Sequence, residues 1–445
     1  MRSVALWSVV GLFLGCVMAV PRTAADQEPL VDEKSFHIPD AQIGELIRIL
    51  LGENPRIQSA RAIWQSRLER VPQARSLPDP RVSYRHFVES PETRVGPQRQ
   101  ALEVSQSIPW SGKRELQAQR ATHDASGVAW RVRDVERILV AELKRVYFEA
   151  AYLQEALAVN SDETSLLRRF EQIALTRYST GEGIQQSVVK VQTDISRLLD
   201  QETALRARLD TATRHIAQII GRSESVLQLE PIRVSLLDSR YDWDDLERES
   251  PQEHPSVAAV QAQIRADEAW SRRKKLDSRP DFRFGVGYID VGGREDAAGM
   301  LSPPEGNGQD IWSVTVGLNV PLYRNRIRAG VAEAEQSVRA NERLLETTQD
   351  GLRFSIQESV LRLKSVDERG RLYRDVIIPQ AEESLASAEA AYTTNRLDFL
   401  NLLDAERVLF QVRLTYHRLL ADYWIAATDL ERGLGRRFPE GGSER

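Results

Sequence analysis

What the sequence lacks excludes several kinds of chemistry. Cysteine occurs once, at Cys16, so no disulfide can close within the chain. The six histidines, His37, His86, His123, His215, His254 and His417, stand apart with no second His or Cys at ligand spacing, so neither a metal site nor a cofactor is expected. No phosphate-cradling glycine-rich loop precedes a helix. The "GVGYIDVGG" run falls in and just after an alternating stretch, where glycine suits a crowded strand surface better than a phosphate cradle. Carboxylates and serines spread along solvated helical faces with no marked acid and base pair, so the chain does not read as an enzyme. Lysine and arginine number 60 against 65 acidic residues, a net charge of -5 with no concentrated basic face, which gives nucleic-acid binding no support. Beyond the amino terminus there is no run of the roughly twenty apolar residues that a membrane-spanning helix needs. If this chain enters a membrane, it does so by strands.

The amino terminus reads as an export signal: Arg2, an apolar run from Val4 to Val20, then Pro21 and the small residues Thr23, Ala24 and Ala25 before Asp26. Two outcomes fit. Cleavage after Ala25 removes a signal of residues 1–25, or the imperfect lipobox "FLGC" ends the signal at residue 15 and leaves Cys16 to be lipidated.

The rest of the chain repeats itself. "LPDPRVSYRHFVESPETRVGPQRQALEVSQSIPWSGKR", Leu77 to Arg114, and "SRPDFRFGVGYIDVGGREDAAGMLSPPEGNGQDIWSVTVGLNVPLYRNR", Ser278 to Arg326, each alternate, break at a polar loop, alternate again and end before a long charged helix. Pro55 and Pro80 recur 200 residues on as Pro255 and Pro280, Pro109 recurs as Pro321 after a longer loop, and Tyr178 and Gly181 recur as Tyr392 and Asn395. The expected organisation is a first repeat over 41–220, a link over 221–254, a second repeat over 255–434 and a disordered tail over 435–445. The fold class expected is mainly α with a small β component. A stripe at Val132, Val135, Leu139, Leu143, Val146 and Ala150 persists far beyond ordinary helix length and predicts coiled-coil-like packing, and Val408, Val412, Tyr416, Leu419 and Tyr423 continue the same pattern in the second half. Gly181 or Gly183, and Asn395, supply the positive φ that reverses the chain between helices.

Four strands are expected, two per hairpin. Phe284, Val286, Val314 and Val316 fall on one greasy face, opposite Arg283, Gly285, Gly287 and Thr315. A sheet over a soluble core would alternate in the same way. The export signal, the strand lengths of about ten residues and the polar loops favour lipid. Four strands cannot close a barrel, and open edges in lipid leave backbone groups unpaired, so closure must come from other copies.

These features together resemble the TolC-like outer-membrane efflux protein family. The resembling residues are "LPDP" at Leu77 to Pro80, "SQSIPWSGKRELQAQRA" at Ser105 to Ala121, "RYSTGEG" at Arg177 to Gly183, "VGLNVPLYRNRIRAGVAEAE" at Val316 to Glu335 and "AYTTNRLDFLNLLDAE" at Ala391 to Glu406. The resemblance implies a homotrimer with a 12-stranded barrel in the outer membrane and a periplasmic α-helical tunnel. It implies the exit duct of a tripartite efflux or type I secretion system, with a membrane-fusion adaptor and an inner-membrane pump of RND or ABC type supplying the energy. It places adaptor docking at the turns of Tyr178, Gly181, Tyr392 and Asn395, and a periplasmic gate at Asn401 and Asp404. Asn395 departs from the glycine usual there, and Asn401 holds an amide where an acid is usual. The "SQSIPWSGKRELQAQRA" segment looks nearest to the heavy-metal-efflux branch. The rival expectation is a periplasmic adaptor or structural coiled-coil protein that bridges membranes without conducting.

Overall fold

The structure is a computed structural model that describes residues 41–223, 227–236, 247–248, 251–394 and 396–436. The export signal with Cys16, the turn residue Asn395 and the tail beyond residue 436 lie outside the described residues. In chain order the elements are helices α1 (Ala41–Glu53), α2 (Pro55–Leu68) and α3 (Arg70–Arg75), strands β1 (Arg81–His86), β2 (Glu92–Thr93) and β3 (Gly96–Ile108), and helices α4 (Lys113–Ser179) and α5 (Gln185–Ile219). The second half holds α6 (Pro255–Lys275), β4 (Phe282–Val291), α7 (Ala297–Leu301), β5 (Ile311–Leu318), α8 (Arg324–Leu372), α9 (Ile378–Thr393) and α10 (Phe399–Leu434).

The helices break where the sequence removes a donor. Pro55 opens α2 at a position whose N–H would be unpaired anyway, and Pro72 accompanies a second break at Glu69 that the sequence reading did not anticipate. Between α8 and α9 a π-helical turn, Tyr373–Ile377, precedes Pro379, so the long helix is not uniform as expected.

Two compact units divide the chain, one comprising residues 63–128 and 260–344 among those described, the other 41–62, 129–259 and 345–436. The first holds the sheet. Its order is β1-β3-β4-β5, all antiparallel, so the two hairpins join through β3 and β4. The two-residue β2 adds a fifth strand, paired with β3, to the four expected. Val88 lies past the end of β1 and Val320 past the end of β5. The helical part of this unit buries mainly alanines, Ala118, Ala125, Ala262, Ala266, Ala269 and Ala334, and Trp270 is held between Arg120 and Lys274, 4.2 Å and 4.7 Å from its ring centre.

The second unit carries the large core. Val132, Leu139, Leu143 and Ala150 are buried, as their spacing predicts, with Tyr147, Phe148, Leu419, Tyr423 and Trp424. A second cluster joins Leu167 and Phe170 of α4, Val191 and Leu198 of α5, Leu385 and Tyr392 of α9, and Phe399, Leu402 and Phe410 of α10. Here the pattern read from the sequence fails by one step: Val408 is exposed, while Glu406 is 3% exposed and packs inward.

The repeat is visible as a shared device. Asn54 caps α2 by accepting from Arg56 N and Ile57 N, and its amide donates to Ile219 O at the end of α5. His254 does the same for α6 and α10. Its Nδ1 accepts from Ser256 N, which leaves Nε2 to donate to Arg432 O at 3.1 Å. Gly221 and Gly435 close the two long helices at φ +84° and +70°, and a Cβ at either would crowd Pro55 or Pro255.

Candidate functional site

Across the sheet, residues in register form rows that share one face. Val82, Val104, Val286 and Val314 make a valine row over all four long strands, and Tyr84, Leu102, Tyr288 and Trp312 make the next. Ile108, Phe282 and Leu318 line the same face, as do Phe284 and Val316. The intervening rows are Arg81, Ser105, Gly285 and Thr315, then Ser83, Glu103, Gly287 and Ser313. Phe284, Val314 and Val316 are exposed, Val314 by 79%, and Val286 is half-buried between strand neighbours. A Cβ on Gly287 would sit 2.6 Å from Ser313 Oγ, so glycine there answers to a crowded polar face. Beneath the sheet, Asp281 Oδ1 accepts from Trp110 N and Lys113 Nζ, which ties the start of β4 to the start of α4.

The two helical turns lie side by side in the second unit. Gly181, not Gly183, takes the positive φ (+79°), and Glu182 N and Gly183 N both bond to Arg177 O at 2.9 Å. In the matching turn Arg396 N bonds to Ala391 O at 2.9 Å, and Asp398 caps α10. Arg177 joins them: its Nη2 donates to Tyr392 O at 2.9 Å while its guanidinium lies 4.2 Å from the centre of the Tyr392 ring, which in turn packs on Phe399. Tyr178 and Tyr392 are therefore equivalent in sequence but not in setting. Tyr178 is exposed; Tyr392 is buried under Arg177, and burial pushes its hydroxyl up despite the nearby cation.

Asn401 and Asp404 are both exposed and lie three apart on one face of α10. On the opposite, inward face sits a group the sequence reading passed over. Glu406 contacts Glu163 of α4, and Asp194 of α5 lies beside them. Burial first, then Asp194, push Glu163 up to about 7, although the contact with Glu406 draws it down; burial first, then Glu163 and Asp194, push Glu406 up to about 8. The available signal was an acid at a core position of the 3.6 period. Among the described residues no group of His, Cys, Asp and Glu could hold a metal ion. No helix among them is long and apolar enough to cross a membrane, which says nothing of strands.

A paired-hairpin sheet with one apolar face, joined to long helices in two similar halves, defines a class of outer-membrane channel. The chain belongs to the Outer membrane efflux protein family, whose sequence profile matches residues 46–222 and 247–436. It is an efflux channel of the bacterial outer membrane. It is 21% identical over 394 residues to the cobalt-zinc-cadmium resistance protein CzcC of Cupriavidus metallidurans, covering 88% of this chain and 89% of that one. Its fold matches a membrane protein from Pseudomonas aeruginosa with a TM-score of 0.75 at 17% identity, covering 94% of this chain and 99% of that one. It also matches the outer membrane protein VceC of Vibrio cholerae with a TM-score of 0.73 at 17% identity, covering 90% and 97%.

Proposed function

We propose that three copies join β5 of one to β1 of the next in a 12-stranded barrel, and that their helices line a periplasmic tunnel. The assembly is the passive exit duct of a tripartite efflux system. The observation that carries this is the sheet: its apolar rows are exposed in a single copy, and β1 and β5 are edges without partners among the described strands. Unpaired edges in hydrocarbon cost several kcal/mol per group, so a lipid-facing sheet demands closure. Phe284, Val286, Val314 and Val316 then face lipid. A second support lies on the helices, where Phe354, Leu361, Leu372 and Val376 are exposed at helical spacing and would be covered by a neighbouring copy.

In this reading the turns holding Tyr178, Gly181, Tyr392 and Asn395 receive a membrane-fusion adaptor, Asn401 and Asp404 narrow the tunnel, and an inner-membrane pump supplies the energy. The chain itself carries out no reaction. Likeness to a cobalt-zinc-cadmium resistance protein favours metal cations as cargo, and the pump is of RND or ABC type. A periplasmic adaptor would leave the exposed valine and aromatic rows facing water.

The test is assembly. Cells expressing the chain should yield it in the outer-membrane fraction as a heat-sensitive trimer, and cysteine pairs placed along β1 and β5 should crosslink between copies. A monomer in the soluble periplasmic fraction would favour the adaptor reading instead.

A further inference from the structure

The inward face of α10 carries an arrangement that channel formation does not require. Glu406 is 3% exposed, and its Oε1 meets no hydrogen-bond donor. Its carboxyl group lies against that of Glu163 across the packing of α4 and α10, and two carboxyl groups can hydrogen-bond there only through a proton. One turn before Glu163, Asn160 is 1% exposed; its amide donates to Leu198 O at 3.3 Å and its Oδ1 also lacks a donor. The packing between α4, α5 and α10 therefore holds acceptors in excess.

The surrounding charges do not correct the excess. Asp194 of α5 takes the local cations, Lys190 at 3.3 Å, Arg407 at 3.5 Å and Arg197 at 3.6 Å. Of these, only Arg407 acts on the glutamates, and Asp194 opposes it. Two adjacent carboxyls, Glu406 buried and Glu163 half-buried, cannot both ionise at low cost, so their titrations are coupled and the last proton to leave is shared between them.

We propose that Glu163 and Glu406 form a proton latch that ties α10 to α4 and α5, and that losing the shared proton to solvent loosens the segment of α10 carrying Asn401 and Asp404. The latch stands on the packing alone, whereas an effect on conduction rests on the gate assigned above. With the proton in place, one carboxyl donates to the other and the helices stay packed. Without it, Glu163 and Glu406 are both ionised within the helix packing, beside the carboxylate of Asp194. The response belongs between pH 7 and 8, where the two glutamates titrate.

The experiment uses the full chain in detergent or liposomes. Infrared spectra from pH 5.5 to 9 should show a protonated carboxyl band that disappears with a midpoint above pH 6.5. Amide exchange over residues 399–413, corrected for intrinsic rates, should speed by about tenfold or more across the same range, since each pKa unit of coupling is worth a factor of ten. Glu406→Gln supplies a permanent donor in place of the proton. It should abolish the band and hold exchange at its slow, low-pH value throughout, and Glu163→Gln should act in the same direction. A wild-type chain with no carboxyl titrating above pH 6.5, or a Glu406→Gln chain that keeps the wild-type exchange response, overturns the latch. Conductance separates the two readings: pH-dependent exchange with pH-independent conductance keeps the latch and removes the Asn401 and Asp404 segment from the constriction.

Discussion

Arg177 makes two contacts with one head group, a hydrogen bond to Tyr392 O and a cation–π contact with the Tyr392 ring, and both hold the two turns together. A charged hydrogen bond is worth about 1.5–3 kcal/mol and a cation–π contact with a buried ring about 1–2 kcal/mol. Arg177→Ala should therefore speed amide exchange around Tyr392 and Phe399 while leaving Leu143 and Tyr423 protected; equal loss at both places would deny the contact its local role. Gly181 offers a cleaner case. Its φ is +79° and a Cβ would meet nothing within 4 Å, so Gly181→Val costs about 1–2 kcal/mol from backbone strain alone. The trimer should form and adaptor crosslinks from Ser179 and Thr393 should fall away. Asn54→Ala removes a helix cap and the donor to Ile219 O together, and should lower stability by about 2 kcal/mol or more in an unfolding titration.

At the scale of elements, the sheet faces make opposite demands of neighbouring residues. Val316 lies in the apolar rows and Thr315 in the polar ones, one position apart on β5. A charge at mid-membrane on a barrel exterior costs about 2–4 kcal/mol. Val316→Arg should reduce the yield of membrane-inserted trimer, and Thr315→Arg should assemble normally; equal defects in both would overturn the assigned faces. On α8, Phe354 is 67% exposed within the apolar stripe. Phe354→Glu should leave the folded chain intact but shift it from trimer to monomer by light scattering.

For the whole molecule, pH acts on two groups with opposite slopes. The carboxyls of Glu163 and Glu406 titrate higher folded than their ordinary 4.5, so their contribution is fully present below that value and is lost as pH rises to 7–8. Burial lowers His254 from its ordinary 6.5, so its contribution is present above 6.5 and is lost as pH falls through the folded value. Glu406→Gln should flatten the alkaline fall in thermal midpoint, and His254→Gln the acid one. Conduction follows from threefold assembly, which would turn Asp404 into a ring of three carboxylates. At about 6 Å separation each pair repels by roughly 3 kcal/mol with an effective dielectric of 20, and by under about 1 kcal/mol in water. Such a ring attracts cations, so Asp404→Ala should lower cation selectivity and block by divalent cations in planar bilayers.

Periodicity alone determined the repeat, the long helices, the hairpins and their two faces, because alternation and the 3.6-residue stripe are properties of the local chain. The buried stripe from Val132 to Ala150 and the valine and aromatic rows of the sheet were legible for that reason. Tertiary structure decided what period cannot encode. It set which hairpin edges meet, since β3 pairs with β4 across about 190 residues of chain, and it gave Asn54 and His254, unlike in chemistry, the same capping task. It also turned Glu406 inward and Val408 outward. A binary pattern places acids in water, and only the approach of Glu163 from another helix makes a buried carboxyl tolerable, by giving its proton a second oxygen to hold.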